Sequence, residues 1–585
     1  VKTTAGRARR TLIASIVALV LAGSSVVSAT AASATTALDN PVNPAALAVG
    51  DLISDATFFA GTSMDATAVQ SFLTGKVATC KGTTPACLKT YRQTTQTRAA
   101  DPMCSAYTGA TLETAAAIIA KVGAACGISP KVLITLIQKE TGLVTSVQPT
   151  QALYDRATGY ACPDDGTGNC DPAYTGFYNQ VYWAAWQFKR YGNPPGTSNY
   201  FTDYPVGKVS QVRFNLDPAC GSGPVAIWNK ATAALYYYTP YQPNAASIAA
   251  YPSEGNTCSA YGNRNFWGIY TQWFGNPTAG STPTVTRSAG SDRYATAVAV
   301  SAAAYPTAST PVAAVYIASG ADFPDALGAA PVAALSSRQG PLLLVAPTAI
   351  PASVVNELKR LKPTTIYIAG GVGAVSAAVA KQLASYSSSV VRLAGVDRFD
   401  TSRVIARSAF ASASTAYIAT GFNYPDALSA GAAAGAHGSP VILVNGGSKS
   451  VDAATRKLLT DLGVTKVKIV GGTGAVSAAY AQSLGSFVTT QRLSGPDRYQ
   501  TSVAVNVDAF PGATSKTYFA TGLSFPDALA GAAAAGAAAS PLYVVKAGCV
   551  APAAAESALA THPGFTLLGG SSVLGAGVAK LTVCP

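Results

Sequence analysis

The chain has 585 residues, too many for one hydrophobic core, so several domains are expected. Only 11% of residues are charged while 49% are hydrophobic, a balance that calls first for a search for membrane spans. The formal net charge of +13 is a modest excess over this length, and in an exported chain it points to anionic polymers or a cell surface rather than to nucleic acid.

Residues 1–31 carry a three-part pattern. Lys2, Arg7, Arg9 and Arg10 form a positive start, residues 11–27 an apolar stretch, and Ala29-Thr30-Ala31 and Ala32-Ser33-Ala34 two small-x-small sites. This is the pattern of a cleaved secretory signal. The later Ala-rich runs are interrupted by Gly, Pro and Asp, so no transmembrane segment is expected after cleavage. Residues 50–100 offer one amphipathic stretch, DATAVQSFL, and no functional reading.

Ten cysteines fit an exported chain: Cys80, Cys87, Cys104, Cys126, Cys162, Cys170, Cys220 and Cys258 in the first half, Cys549 and Cys584 near the end. An even count suggests disulfides, and the sequence neighbours Cys80–Cys87, Cys162–Cys170 and Cys549–Cys584 are expected pairs.

The segment ISPKVLITLIQKETGLVTS predicts a helix over about 130–141, with Ser129 as N-cap, Pro130 at the first turn and Gly142 at the stop. Leu133, Leu136 and Ile137 form an apolar stripe, and Glu140 takes its next position. A carboxylate there, on a buried face and at the negative helix end, is expected to have a raised pKa. Such a group suits general acid catalysis of glycoside cleavage. A pairing with a buried cation is the structural alternative.

Both histidines, His437 and His562, lie late in the chain. The first half therefore lacks the residues for a His-ligated zinc amidase, a Cys-His peptidase or a Ser-His-Asp triad, and carboxylate-based glycan cleavage remains. Aromatic segments follow Glu140. Trp183, Trp186, Tyr236, Tyr237, Tyr241, Trp267 and Trp273 offer rings to sugar faces, and Asn179, Gln187, Gln242 and Asn244 offer amides; half or more of the rings must be core. SPKVLITLIQKETG, AAWQF and AALYYYTPYQPN resemble three blocks of the lysozyme and lytic transglycosylase superfamily, over about residues 110–275. The resemblance implies an α-rich lysozyme-like domain, expected over residues 40–275. Glu140 would be general acid and then base, with Gln187, Trp186, Tyr236 and Tyr237 lining the substrate cleft. A hydrolase would want a second carboxylate, for which Asp155, Asp164, Asp165 and Asp203 are available.

GNPTAGSTPTVT has the composition of a linker, placed at 276–286. Beyond it the chain repeats itself. RSAGSDRYATAVAVS, RLAGVDRFDTSRVIA and RLSGPDRYQTSVAVN open three copies at Arg287, Arg392 and Arg492. Each continues with an aromatic-Pro-Asp-Ala-Leu motif (from Phe323, Tyr424 and Phe525), an apolar strand, and a Gly-rich turn (from Ala369, Val470 and Leu568). Short apolar runs alternating with helical segments predict parallel sheets covered on both faces, in copies bounded at 287–390, 391–490 and 491–585. In the third copy Tyr543 interrupts the apolar strand and the turn is looser.

These motifs resemble the cell wall-binding repeat 2 family. The resemblance implies three tandem repeats that hold an exported protein non-covalently on a Gram-positive wall by binding an anionic glycopolymer. Backbone N–H groups of the turns at Gly371 and Gly472, with Arg293, Arg398 and Arg498, are the candidate polymer contacts; pairing of each Arg with the preceding Asp is the structural alternative. Asp325, Asp426 and Asp527 read as structural. The expectation is thus a secreted, wall-anchored peptidoglycan hydrolase or lytic transglycosylase whose partners are peptidoglycan and a wall polymer, with no metal or cofactor and no nucleic acid. A non-catalytic adhesin or wall-layer protein is the alternative.

Overall fold

The computed structural model describes residues 39–162, 170–307, 311–561 and 564–585. The secretory-signal pattern, Asp164, Asp165 and His562 lie outside the described residues. No helix among those described is long and apolar enough to cross a membrane.

The first part of the compact unit that begins at Asn40 is α-rich. Helices Ala115–Cys126, Pro130–Thr141, Phe177–Arg190 and Gly262–Phe274 share one core with Ile118, Leu133, Ile137 and Phe188, all essentially inaccessible. The helix containing Glu140 has the expected ends. Ser129 Oγ accepts from the Lys131 N–H at 3.3 Å, and Gly142 stops it with a φ of 67°. An antiparallel hairpin, Val209–Arg213 with Ser222–Ala226, projects from this core. All ten cysteines pair: Cys80–Cys87, Cys104–Cys126, Cys162–Cys170, Cys220–Cys258 and Cys549–Cys584.

The second part contains three four-stranded parallel sheets with the same strand order. In the first, Leu342–Val345, Ala314–Ser319, Thr365–Ala369 and Ser389–Leu393 lie side by side. Alternation sets the two faces. Tyr316 and Ala318 point into a core shared by all three sheets, whereas Val315 and Ile317 pack on outer helices such as Ala352–Leu361. The third sheet buries Tyr543, at 3% exposure, in its outer layer against Phe519 and Phe565. The residue that seemed to interrupt the strand is therefore a fitted core side chain.

The sequence repeat and the sheet are out of phase. Ser389–Leu393, which carries the Arg392 that opens the second copy, is the last strand of the first sheet. Thr489–Leu493 likewise completes the second sheet. The third sheet is completed by Thr284–Ser288, the strand directly after the linker, paired with Gly564–Leu568. Each copy thus lends its opening strand to a neighbour, and the first copy closes the ring on the third.

Three motif helices, Pro324–Ala333, Ala427–Ala436 and Pro526–Ala537, meet at the centre. Their approach requires small residues. A Cβ on Gly435 would lie 2.7 Å from the Ala334 Cβ, and one on Gly536 would lie 3.0 Å from the same atom. At one end Phe323, Tyr424 and Phe525 form a triangle with ring centroids 5.5–6.0 Å apart.

The α-rich part docks on the third sheet. Trp228 packs on Phe565 with centroids 6.1 Å apart. Glu556 pairs with Lys208 at 2.9 Å and accepts from the Val209 N–H at 3.2 Å. The linker is held too: Asp51, 5% exposed, accepts from Ser281 Oγ at 3.0 Å and from Asn229 Nδ2 at 2.8 Å. Burial pushes the Asp51 carboxyl up to about 6, against a lowering by its two donors.

Two outcomes are expected. A chain starting at residue 289 leaves the edge at Gly564–Leu568 unpaired; it should unfold at lower urea than one starting at residue 280 and self-associate with concentration, as sedimentation will show. A carboxyl raised in the folded state stabilises fully below its unfolded pKa of 3.8, and that contribution is lost as pH rises through about 6. The span corresponds to about 3 kcal/mol. Asp51→Asn should therefore flatten the fall in urea midpoint between about pH 4 and pH 7 relative to the parent chain.

Candidate functional site

Glu140 sits in the last turn of its helix, and the structure corrects one expectation about it. Its side chain is 23% exposed rather than buried on the apolar stripe. The backbone carries the stripe out of the core at this point, because residues 138–141 are all partly exposed. Its Oε1 lies 2.6 Å from Lys139 Nζ, and Lys139, 9% exposed, also donates to Thr239 Oγ1 at 2.9 Å. The carboxylate is therefore a paired group at a surface.

Opposite it lies the turn Ala157–Tyr160. Gly159 has a φ of 73°, and a Cβ there would stand 3.6 Å from Glu140 Oε2, so the backbone itself comes close to the carboxylate. Two residues hold this turn. Gln180 is fully buried and takes the Thr158 and Tyr160 N–H groups, each at 3.2 Å, while donating to the Tyr160 carbonyl at 2.8 Å. Tyr238 Oη donates to the Thr158 carbonyl at 2.7 Å. Burial and the nearby Glu140 charge push the Tyr238 hydroxyl well above its usual range, and Tyr191 and Tyr160 lie close enough to add to it. Glu140 thus has Gly159 and Tyr238 beside it, and Tyr191 and Tyr160 lie next to Tyr238.

The other named residues are distributed unevenly around this turn. Gln187 lies against Tyr191, and Tyr191 stacks on Tyr237 at 5.3 Å. Tyr236 must be removed from the cleft. It is 0% exposed, and its hydroxyl donates to the Val49 carbonyl at 2.8 Å, because it faces inward from Lys230–Tyr238. Trp186 points elsewhere, its Nε1 donating to Asp101 Oδ2 at 2.6 Å. Asp155 takes a bond from Gln151 at 2.9 Å. Asp203 lies beside Tyr204 and Tyr237. Gln180, Tyr191, Tyr160 and Tyr238 were not singled out from sequence. The signal available was the tyrosine-rich composition; their convergence depends on the turn.

In the repeats the motif residues have structural partners. Asp292, Asp397 and Asp497 are N-caps, each accepting from the N–H three residues on at 2.7–2.8 Å, rather than partners of the next Arg. Arg293, Arg398 and Arg498 each donate Nη1 to a carbonyl at a strand end, those of Gly320, Gly421 and Gly522. They also face the neighbouring copy: Arg293 lies over Phe525 at 5.7 Å and Arg398 over Phe323 at 5.8 Å. Arg398 remains about one third exposed. A second arginine set, the three residues that open the copies, caps the Gly-rich turns: Arg287, Arg392 and Arg492 donate to the carbonyls of Gly569, Gly370 and Gly471 at 2.6–2.7 Å.

Those three glycines have φ near 107°, and a Cβ on any of them would fall within 2.6 Å of the carboxylate of Asp325, Asp426 or Asp527. Burial raises the pKa of all three carboxyls. Gly371 and Gly472, the next residues in the turns, have no heavy atom within 4 Å of a built Cβ and stay open at the surface. The carboxyl edges of the first and second sheets therefore present an open Gly turn backed by an arginine, while in the third a Cβ on Gly570 would lie 3.7 Å from Ser572 Oγ.

Three interlocked parallel sheets with motif arginines and glycines at their carboxyl edges define a triplicated α/β module. The family profile for cell wall binding domain 2 matches residues 287–380, 392–481 and 492–579, and these are three cell wall binding repeats of that family. The profile for LasA, N-terminal domain, matches residues 52–193, a span that contains Glu140, Gln180 and Gln187. The N-acetylmuramoyl-L-alanine amidase LytC of Bacillus subtilis (strain 168) is 36% identical over 256 residues, 44% of this chain and 49% of that protein. An amidase enhancer of the same organism is 28% identical over 297 residues, 51% of this chain and 39% of that protein. The chain thus spans half or less of the length of these relatives. Among solved structures, Cwp6 from Clostridium difficile gives a TM-score of 0.47 at 26% identity, covering 52% of this chain and 48% of that one. Cwp8 from the same organism gives 0.46 at 25%, covering 54% of each. The protein is cell wall-associated.

Gln180→Ala leaves buried N–H and carbonyl groups of the turn without partners and should lower the unfolding free energy by about 3 kcal/mol, measurable by urea denaturation.

Proposed function

We propose that this is an exported protein held by its three repeats on an anionic glycopolymer of a Gram-positive wall, and that its α-rich part cuts peptidoglycan glycan strands at Glu140. The observation that carries the cutting is one partly exposed carboxylate with Tyr238 and the bare backbone of Gly159 beside it. Bare backbone on one side and a tyrosine on the other suit the face and edge of a sugar ring. Glu140 would deliver a proton to the glycosidic oxygen as that bond breaks. It would then take the proton of the sugar's own 6-hydroxyl as that oxygen closes on the anomeric carbon. One carboxylate suffices for this lytic transglycosylase route, and Gln187 and Tyr237, reached through Tyr191, extend the site along the strand.

Glu140 would work from its ion pair with Lys139. That pair also favours a second reading, in which the site binds glycan without cutting, since Lys139 Nζ already occupies one carboxylate oxygen at 2.6 Å.

Purified Gram-positive peptidoglycan incubated with the chain starting at residue 40 should release anhydro-muramyl fragments, read by mass spectrometry. Glu140→Gln should reduce the release by about 100-fold or more and leave wall sedimentation unchanged. Wall binding without fragments from either chain would establish the second reading.

A further inference from the structure

The exposed face of the hairpin Val209–Arg213 with Ser222–Ala226 borders a pocket of about 440 Å³, lined by Asp203, Tyr204, Gln211, Arg213, Pro240 and Tyr241. Along the first strand Ser210 and Val212 turn into the core, so Gln211 and Arg213 project together on the outer face, where the pocket lies. The loop Thr239–Tyr241 ties this pocket to Glu140. Asn263 Nδ2 donates to the Thr239 and Tyr241 carbonyls at 2.9 and 3.1 Å. Thr239 Oγ1 accepts at 2.9 Å from Lys139, the cation paired with Glu140. Two residues of chain span at most about 7 Å, so the pocket wall begins beside the anchor of the Glu140 pair.

The pocket offers unpaired charges of both signs. Asp203 and Arg213 are exposed, and neither has an ion-pair partner among the described residues. Arg213 Nη2 donates to the Leu216 carbonyl at 3.1 Å, which leaves the other guanidinium N–H groups open to a ligand. A neutral glycan gives neither charge a partner, and a polyanion meets a repelling carboxylate. A ligand with one carboxylate and one ammonium group satisfies both. Gln211 also lines a larger cavity of about 820 Å³ that reaches Tyr499 and Lys546 of the third copy. The space thus continues along the hairpin toward the repeats, which suits one arm of a polymer better than a free amino acid.

We propose that this pocket binds the peptide arm of a peptidoglycan strand, with Arg213 on a peptide carboxylate and Asp203 on the ammonium of its diamino acid. The inference rests on the reading of peptidoglycan as the substrate of the α-rich part, and it adds the peptide arm to what that part recognises. Strands that still bear their peptides are then the preferred substrate at Glu140.

The test is calorimetric titration of the chain starting at residue 40 with N-acetylmuramyl-L-alanyl-D-glutamyl-L-lysine. This ligand has no bond between sugars to break, so binding is read without cleavage. Saturable binding is expected. Acetylation of the lysine ammonium and Asp203→Asn should each weaken it by about 10-fold, and the two combined should weaken it little further, as for groups that touch each other. Arg213→Gln should weaken the parent and acetylated ligands alike, also by about 10-fold. Both side chains are exposed, so neither substitution disturbs the core. The proposal is overturned if the tripeptide gives no saturable heat, if acetylation or both substitutions leave its affinity unchanged, or if glycerol phosphate oligomers displace it. Fragments from peptidoglycan without tripeptide binding overturn this inference alone; tripeptide binding without fragments upholds it and overturns only the cutting.

Discussion

The architecture depends on how closely three helices can approach. Pro324–Ala333, Ala427–Ala436 and Pro526–Ala537 are rich in Ala and Gly, and at Gly435 and Gly536 even one added carbon would crowd the next helix. That proximity fixes the three sheets around one axis and brings Phe323, Tyr424 and Phe525 into mutual contact. It also sets each Arg of the opening motif beside the neighbouring copy, where Asp325, Asp426 and Asp527 fill the space left by a glycine. A small-residue helix gains little from side-chain burial of its own. Its value here is geometric, since larger residues would push the sheets apart and open the shared core.

Ring closure follows from the same geometry. The fourth strand of each sheet comes from the next copy, and for the third sheet the next copy is the first. Parallel pairing leaves that strand at an edge, which would otherwise be exposed. Since Thr284–Ser288 directly follows the linker, closure also draws the α-rich part onto the third sheet, where Trp228, Glu556 and Asp51 secure it. The third copy departs from the other two where this contact falls. Tyr543 and Phe565 enlarge its outer layer, and the Cys549–Cys584 bridge ties the terminal residues to it.

In the α-rich part, a left-handed glycine turn pinned by Gln180 and Tyr238 does for Glu140 what burial on the helix stripe was expected to do: it gives the carboxylate a defined setting. The setting differs in kind. A cation is in direct contact, and the neighbours are one tyrosine, Tyr238, and the Gly159 backbone. Any proton transfer at Glu140 must work against, or through, that cation.

The helix Pro130–Thr141 was legible because its determinants are local: a serine cap, a proline, an apolar stripe and a terminal glycine lie within fourteen residues. The repeats were legible because three copies of one order of motifs reveal alternating strands and helices directly. Both periodicities come from backbone geometry that any chain obeys. Tertiary structure alone decided which strand joins which sheet, because Thr284–Ser288 and Gly564–Leu568 are separated by most of the repeat region and carry no mark of each other. It also decided that Tyr236 is core while Tyr238 stands beside Glu140, and that Trp228 meets Phe565 across a junction. Side-chain type sets what a residue can do, but neighbours distant in sequence are brought together only when the core closes, and the chemistry at Glu140 and at the junction depends on those neighbours.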